Sequence, residues 1–236
     1  MSTSWFVWLG SGRARRRKVA PAGQWLDEAA RAGLPVPPGA ILLDEFFQMC
    51  LDKGLAARHG EEITIPDAEL LHNTLFHSVR LPPFEQPVIV RPVTATGGRA
   101  IDAAEDSALS RALAAAWSMP SDAAPGRHDV LIMEHVTTPL SGFATCLLAA
   151  ERDTVETASG AAESALSLAR LRPRQAADAT LPPFARRLQM LLRGIGRTLG
   201  PGDRIIHWAD DGAICWLVGV SAALEARRSG DKSMAT

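Results

Sequence analysis

A stiff corner of prolines near the start of the chain constrains its fold more than any other feature. The stretch ARAGLPVPPGAILLDEFF occupies residues 30–47. Gly33 suits the left-handed end of a helix, and Pro35 cannot continue that helix because it lacks an N–H. Two further prolines then hold the backbone extended. The pattern predicts that a helix ends here and that a short apolar strand follows at once.

Hydrophobic spacing and turn residues predict the remaining elements. The predicted helices span 24–32, 45–57 with Asp44 as N-cap, 66 onward, 103–118 and 184–199. The predicted strands span 40–43, 87–93, 130–136, 143–149 and a hairpin of 204–209 and 213–220 that turns at 210–212. The alanine-rich stretch 156–180 shows little pattern and receives no assignment.

Mixed helices and strands with a late hairpin predict an α+β (α/β) protein of two lobes. The N-terminal lobe is expected over 1–120, with a basic, flexible start at 1–19. The C-terminal lobe with the hairpin is expected over 121–225, and a disordered tail over 226–236.

Composition excludes several classes of function. The net charge is −1, so no overall field attracts nucleic acid, and the basic run at 13–18 is interpreted as a solvated flank. No apolar run approaches the roughly 20 residues that span a bilayer. The three cysteines are scattered without CxxC spacing, which predicts a reduced, cytoplasmic location rather than a disulfide scaffold or a zinc site.

Five segments in order resemble one known family. They are 30–39, VIVRPVT at 88–94, AWS at 116–118, VLIMEHVTTPLSGFAT at 130–145 and the hairpin at 206–218. Together they are similar to the ATP-binding domain of phosphoenolpyruvate synthase and pyruvate phosphate dikinase, over about residues 20–222. The resemblance implies a two-lobed ATP-grasp-like nucleotide-binding fold, with ATP and Mg²⁺ as cofactors.

The resemblance also implies which residues contact the nucleotide. Arg91 occupies the position of a family arginine that holds phosphate, and Lys18 is the cation nearest to the glycine turn that normally carries a lysine. Glu134 lies in the hinge strand beside the expected adenine. His207 occupies the position of a magnesium-binding acid. These four are the candidate cofactor-binding residues; no catalytic residue and no metal ligand is predicted.

The sequence departs from the family at most of its charged positions. Ala22 stands where the lysine is expected, Ile205 and His207 replace the metal-binding acids, and Gly219 and Ser221 replace a glutamine and an arginine. A triphosphate needs cations around it, and Mg²⁺ prefers hard oxygen ligands. The departures therefore predict weak or no nucleotide binding.

Each candidate residue also has a purely structural interpretation. Arg91 could equally be satisfied by a neighbouring carboxylate, and Glu134 could be an ordinary surface residue. His207 could simply fill space on its strand. Gly97 and Gly98 are a weak phosphate-loop signal, because no lysine and no helix start follow them.

Three functions remain open from the sequence. The first is an accessory or regulatory subunit, a pseudoenzyme that acts with a protein partner. The alternative is an active ATP-dependent phosphotransferase component whose phosphohistidine domain is a separate chain, with its metal site rebuilt from Asp210, Asp211 or Glu134. The third is a pocket protein that holds a small anion with Arg91 and His207.

Overall fold

The computed structural model describes residues 4–119, 126–138, 140–158 and 165–223. The helices are α1 (Pro21–Arg31), α2 (Asp44–Asp52), α3 (Ala68–Asn73), which continues as a π-helical turn (Thr74–Ser78), α4 (Asp106–Ser118) and α5 (Pro183–Leu199). The strands are β1 (Phe6–Trp8), β2 (Gly39–Leu42), β3 (Ala57–His59), β4 (Glu62–Thr64), β5 (Val88–Pro92), β6 (Ala100–Ile101), β7 (Val130–Glu134), β8 (Leu140–Cys146), β9 (Arg152–Thr157), β10 (Leu166–Ala169), β11 (Arg204–Asp210) and β12 (Cys215–Ala222). The predicted α+β class is confirmed.

The chain forms two compact units rather than a simple N-terminal and C-terminal half. The first unit comprises the residues up to Gln24 together with Pro38–His135. The second comprises Trp25–Pro37 and the residues from Val136 onward. These boundaries differ from the predicted division at residue 120, because the end of α1 and the proline corner belong with the later part of the chain.

The first unit is built on an antiparallel sheet in the order β1-β2-β7-β5-β6. Side chains alternate across a strand, so each strand offers one set of residues to each face. One face packs against α2, α3 and α4. Its buried core includes Ala40, Leu42, Phe46, Phe47, Leu71, Val88, Leu113, Trp117, Val130 and Ile132.

The second unit is built on another antiparallel sheet, in the order β10-β9-β8-β11-β12. Helix α5 lies on it and contacts β12 and β10. The apolar positions of α5 recur at helical spacing, and Leu188, Leu192 and Ile195 are buried. The Trp208 ring stacks on Phe184 of α5 at 5.9 Å, so Trp208 belongs to the core.

The proline corner is where the chain leaves the second unit and enters the first. Gly33 has φ +78°, and the Leu34 N–H donates to the Ala29 carbonyl to close α1. The Pro35 carbonyl accepts a hydrogen bond of 2.7 Å from the Leu217 N–H in β12. The Pro38 carbonyl then accepts from the Glu134 N–H in β7. The stiff segment thus carries backbone contacts of both units.

Helix α2 ends earlier than predicted and is capped differently. Gly54, with φ +69°, stops the helix, and the Leu55 N–H returns to the Cys50 carbonyl. Asp44 is the first helical residue rather than the N-cap. Its N–H donates to the Asp129 carboxylate, whereas its own carboxylate accepts from the His128 N–H. A carboxylate distant in sequence therefore satisfies the helix start.

Three further regions differ from the sequence prediction. Residues 6–8 form β1, paired with β2, inside the stretch predicted to be flexible. Strand β8 begins at Leu140 rather than residue 143. The unassigned stretch contains β10 and the end of β9. The predicted tail over 226–236 lies outside the described residues.

Candidate functional site

Arg91 lies near the end of β5, beside the inner strand β7 of the sheet of the first unit, on the face opposite to the main core. Strand register places Val7, Ile41, Leu131 and Arg91 directly opposite one another in one row across β1, β2, β7 and β5. Directly opposed residues of antiparallel strands share a face. Arg91 is only 6% exposed, and burial lowers the pKa of its guanidinium to about 10. The fold thus holds a cation where water solvates it poorly.

The two positions after Arg91 contribute to the core rather than to a polar site. Pro92 ends β5, and Val93 is buried, with its N–H donating to the Asp129 carbonyl. A Cβ on Gly23 would come 2.8 Å from Val93 Cγ1 and 2.6 Å from Val19 Cγ1. The start of α1 therefore packs closely on these side chains. This close approach explains why Gly23 is present in the turn.

Lys18 lies in the turn before α1 and is exposed. Its backbone has φ +54°, an uncommon conformation for a residue with a side chain, and its N–H donates to the Arg15 carbonyl. Ala22, at the position expected for the lysine, is buried in the first turn of α1. The helix start therefore carries no lysine side chain at that position.

Glu134 ends β7 and lies opposite Val88 of β5. Val88 and Arg91 are three residues apart on one strand, so Glu134 and Arg91 lie on opposite faces of the sheet. One carboxylate oxygen of Glu134 accepts a hydrogen bond of 3.3 Å from the Glu85 N–H. The structure thus gives Glu134 a role in holding the loop before β5, and it does not bring Glu134 to the face of Arg91.

His207 lies on β11 in the second unit and is partly exposed. It is directly opposite Phe143 of β8 and Gly219 of β12, and its ring lies 6.3 Å from the Phe143 ring. Ile205, two residues earlier on the same face, is opposite Ser221. The four positions that the family resemblance assigns to metal and phosphate contacts thus form two opposed pairs on one face of the hairpin. None of the four carries a carboxylate.

The two aspartates at the hairpin turn have structural partners. Asp210 is 2% exposed and accepts two hydrogen bonds from the Arg187 guanidinium, at 2.8 and 2.6 Å. These bonds to Asp210 raise the pKa of Arg187. Asp211 is exposed and accepts from the N–H groups of Ala213 and Ile214 and from Trp216 Nε1. Hydrogen bonds, led by that from Ile214, lower the pKa of Asp211.

The sequence patterns did not predict the ion pair between Arg187 and Asp210. The two residues are 23 positions apart, on α5 and β11, and no local motif joins them. Across the described ranges, no group of three or more His, Cys, Asp or Glu side chains is arranged to hold a metal ion. The helices of the described part of the chain include none that is long and apolar enough to cross a membrane.

The chain is similar in structure to several solved ligases. The D-alanine–D-alanine ligase from Bacillus anthracis, solved with ATP, has 11% identity and a TM-score of 0.44, covering 91% of this chain and 57% of the ligase. The Helicobacter pylori D-alanine–D-alanine ligase has 14% identity and a TM-score of 0.47, covering 82% and 50%. A RimK domain ATP-grasp protein from Sphaerobacter thermophilus has 13% identity and a TM-score of 0.41, covering 96% and 75%.

These likenesses give no basis for a functional conclusion, because identity is below 25% and the TM-scores are below 0.5. The chain spans about half the length of the two D-alanine–D-alanine ligases. No protein-family model matches the sequence, and no curated protein matches it. The resemblance to the phosphoenolpyruvate synthase family stays a prediction.

Proposed function

We propose that the chain is a degenerate ATP-grasp-like domain of the phosphoenolpyruvate synthase type. In this proposal it acts as an accessory or regulatory subunit with weak or no nucleotide binding and no phosphotransfer of its own. The observation that carries the proposal is the hairpin face on which Ile205 opposes Ser221 and His207 opposes Gly219. A strand pair that binds Mg²⁺ and phosphate needs oxygen ligands for the metal and a cation for the phosphate at these positions.

Electrostatics explains why these replacements matter. Two unit charges 4 Å apart interact by about 4 kcal/mol at the effective dielectric near a protein surface. A triphosphate carries several negative charges, and catalysis of phosphoryl transfer is mostly positioning and charge neutralisation. Asp210 is the buried acid at the end of β11, and Arg187 already occupies its carboxylate. Recruiting Asp210 to a metal would break its two hydrogen bonds with Arg187, at a cost of about 1–3 kcal/mol.

The burial of Arg91 favours the second candidate, an active ATP-binding component. Cations with strongly lowered pKa values cluster at functional sites. Arg91 has such a pKa and occupies the position of a phosphate-holding arginine. In this candidate the phosphohistidine domain is a separate chain, and Arg91 contacts ATP.

A thermal-shift titration with Mg-ATP separates the two candidates. A ligand at one hundred times its dissociation constant stabilises the folded state by about 2.7 kcal/mol. We expect no saturable shift at millimolar Mg-ATP. A shift that saturates, and that Arg91→Met removes while the exposed-site control Arg111→Met retains it, would support the active component instead. The control residue is 73% exposed on α4.

Restoring the hairpin acids tests the degeneracy directly. The double substitution Ile205→Glu with His207→Glu places two carboxylates on the face where the resemblance expects metal ligands. We expect this variant to gain Mg²⁺-dependent stabilisation. The control Ile214→Glu with Ala213→Glu adds the same charge at the exposed hairpin turn and should gain none. Equal behaviour of the two variants would contradict the assignment of the hairpin positions.

The accessory role has its own measurement. The protein should migrate in its native extract as a complex with one partner in a fixed ratio, by gel filtration and quantitative mass spectrometry. A protein that elutes as a monomer in that extract would contradict the subunit proposal, whatever the nucleotide experiments show.

A further inference from the structure

The second unit contains a cavity that none of the sequence motifs indicated. Its volume is about 240 Å³, and it lies between α5 and the face of the sheet that α5 covers, against strands β8 to β11. Most of its wall is apolar. The apolar and small lining residues include Leu148, Ala169, Leu171, Leu192, Ile195 and Ile206. None of the residues discussed above as nucleotide or metal candidates lines it.

Positive charge predominates on the wall of this cavity. Arg170, Arg193, Arg197 and Arg204 line it, and Asp153 is its one carboxylate among the described residues. Asp153 is bound by Arg170, whose Nε donates to it at 2.8 Å. One carboxylate for four guanidinium groups leaves a surplus of positive charge beside apolar surface.

Backbone carbonyls hold two of the other arginines in place. Arg204 donates to the carbonyls of Gly200 and Leu199, and its guanidinium carbon lies 5.3 Å from the centre of the Trp25 ring. Arg193 donates to the Gln175 carbonyl. Neutral carbonyls orient these groups without cancelling their charge. Preorganised cations of this kind favour an anion over a neutral ligand.

Glycines keep the mouth of the cavity open. Gly196, Gly200 and Gly202 line it, and a Cβ built on Gly196 would meet no atom within 4 Å. Gly196 lies within α5, where glycine costs about 1 kcal/mol of helix stability relative to alanine. The helix therefore gives up stability at an exposed position that lines the cavity.

We propose that this cavity binds a small organic anion, with a short apolar body and one carboxylate or phosphate head. The apolar wall takes the body, and the guanidinium groups take the head. The cavity has the volume of about eight water molecules, since one water occupies roughly 30 Å³. Hexanoate and hexyl phosphate are therefore suitable probes for the two possible heads.

Isothermal titration calorimetry on the full chain tests the proposal, with 1-hexanol as the neutral analogue. We expect saturable binding of hexanoate or hexyl phosphate, at least tenfold tighter than that of 1-hexanol. The relative affinities of the two anions show whether the cavity prefers a carboxylate or a phosphate group. Failure of both anions to bind saturably at millimolar concentration, or equal binding of 1-hexanol, would overturn the proposal.

Two variants with matched controls locate the site. Arg197 is exposed at the cavity rim, and Arg197→Gln should weaken anion binding about tenfold. Arg186→Gln removes the same charge from another exposed position of α5 and should change affinity less than twofold. Gly196→Leu should abolish binding by filling the mouth, whereas Gly196→Ala should retain it. Equal losses from the two arginine variants, or unchanged affinity in Gly196→Leu, would place the anion elsewhere and refute the assignment.

Discussion

Replacing Arg91 by methionine should make the protein more stable, not less. Arg91 is 6% exposed in a row with Val7, Ile41 and Leu131, and burial lowers its pKa to about 10. The unfolded chain therefore binds the proton more tightly than the folded protein does. At neutral pH the charged side chain is a cost to folding, which declines only as the pH rises above about 10.

The size of this effect follows from the lowered pKa. A fall from the ordinary value of an arginine to about 10 corresponds to roughly 3 kcal/mol, at about 1.4 kcal/mol per pKa unit. Methionine has a similar length and is apolar, so it removes this cost and keeps contact with its neighbours. Losing the arginine's polar interaction with its surroundings offsets about 1–2 kcal/mol. The expected net gain in the free energy of unfolding is therefore about 1–2 kcal/mol.

Urea unfolding at pH 7 measures this gain as a higher midpoint at an unchanged m-value. The matched control, Arg111→Met, changes an exposed arginine of the same unit and should stay within about 0.5 kcal/mol of the parent. Destabilisation by Arg91→Met of more than 1 kcal/mol would refute the reasoning. It would show that the interactions of Arg91 stabilise the folded protein by more than the burial of its charge costs.

Three further perturbations have clear expected outcomes. A Cβ on Gly142 would lie 2.0 Å from the Glu156 carbonyl oxygen, so Gly142→Ala should separate β8 from β9 and lower the unfolding free energy by about 3 kcal/mol in urea titrations. Asp210→Asn should cost about 1–2 kcal/mol by the same assay, because the partly exposed Arg187 loses its charged acceptor. Burial raises the pKa of the Cys50 and Cys215 thiols to about 12, so iodoacetamide at pH 8 should label these two only when urea unfolds the protein, and stability should fall as the pH rises above about 9. Rapid labelling of Cys50 or Cys215 in the native protein would contradict that burial.

Local signals predicted the elements that depend on local chemistry. The hairpin of β11 and β12 turns at Asp-Asp-Gly, and Asp211 fixes that turn through bonds to residues two and three positions ahead. A few consecutive residues were likewise enough to predict the proline corner and the strand that contains Arg91. Short-range sterics and hydrogen bonds determine these elements, so a single sequence suffices to find them.

The missed elements depend on partners far along the chain, or on a weak signal. In strand β9, the buried residues Asp153, Val155 and Thr157 alternate with exposed ones. Two of the three buried residues are polar, so the sequence does not show the apolar alternation that predicts a strand. The cap of α2 comes from Asp129, 85 residues away. The cavity of the second unit forms only when arginines from β11, from α5 and from the residue after β10 come together. No spacing rule within one segment could have indicated these contacts.

Strand alternation explains how such a hairpin can lose charged ligands and keep its fold. The α5 side of β11 presents the buried residues Ile206, Trp208 and Asp210, which pack in the core of the second unit. Ile205 and His207 point to the other side and are only partly buried. Backbone hydrogen bonds to β8 and β12 are indifferent to side-chain identity on that second face. Substitutions there change what the hairpin can bind at little cost to stability, whereas substitutions one residue away would disrupt the core.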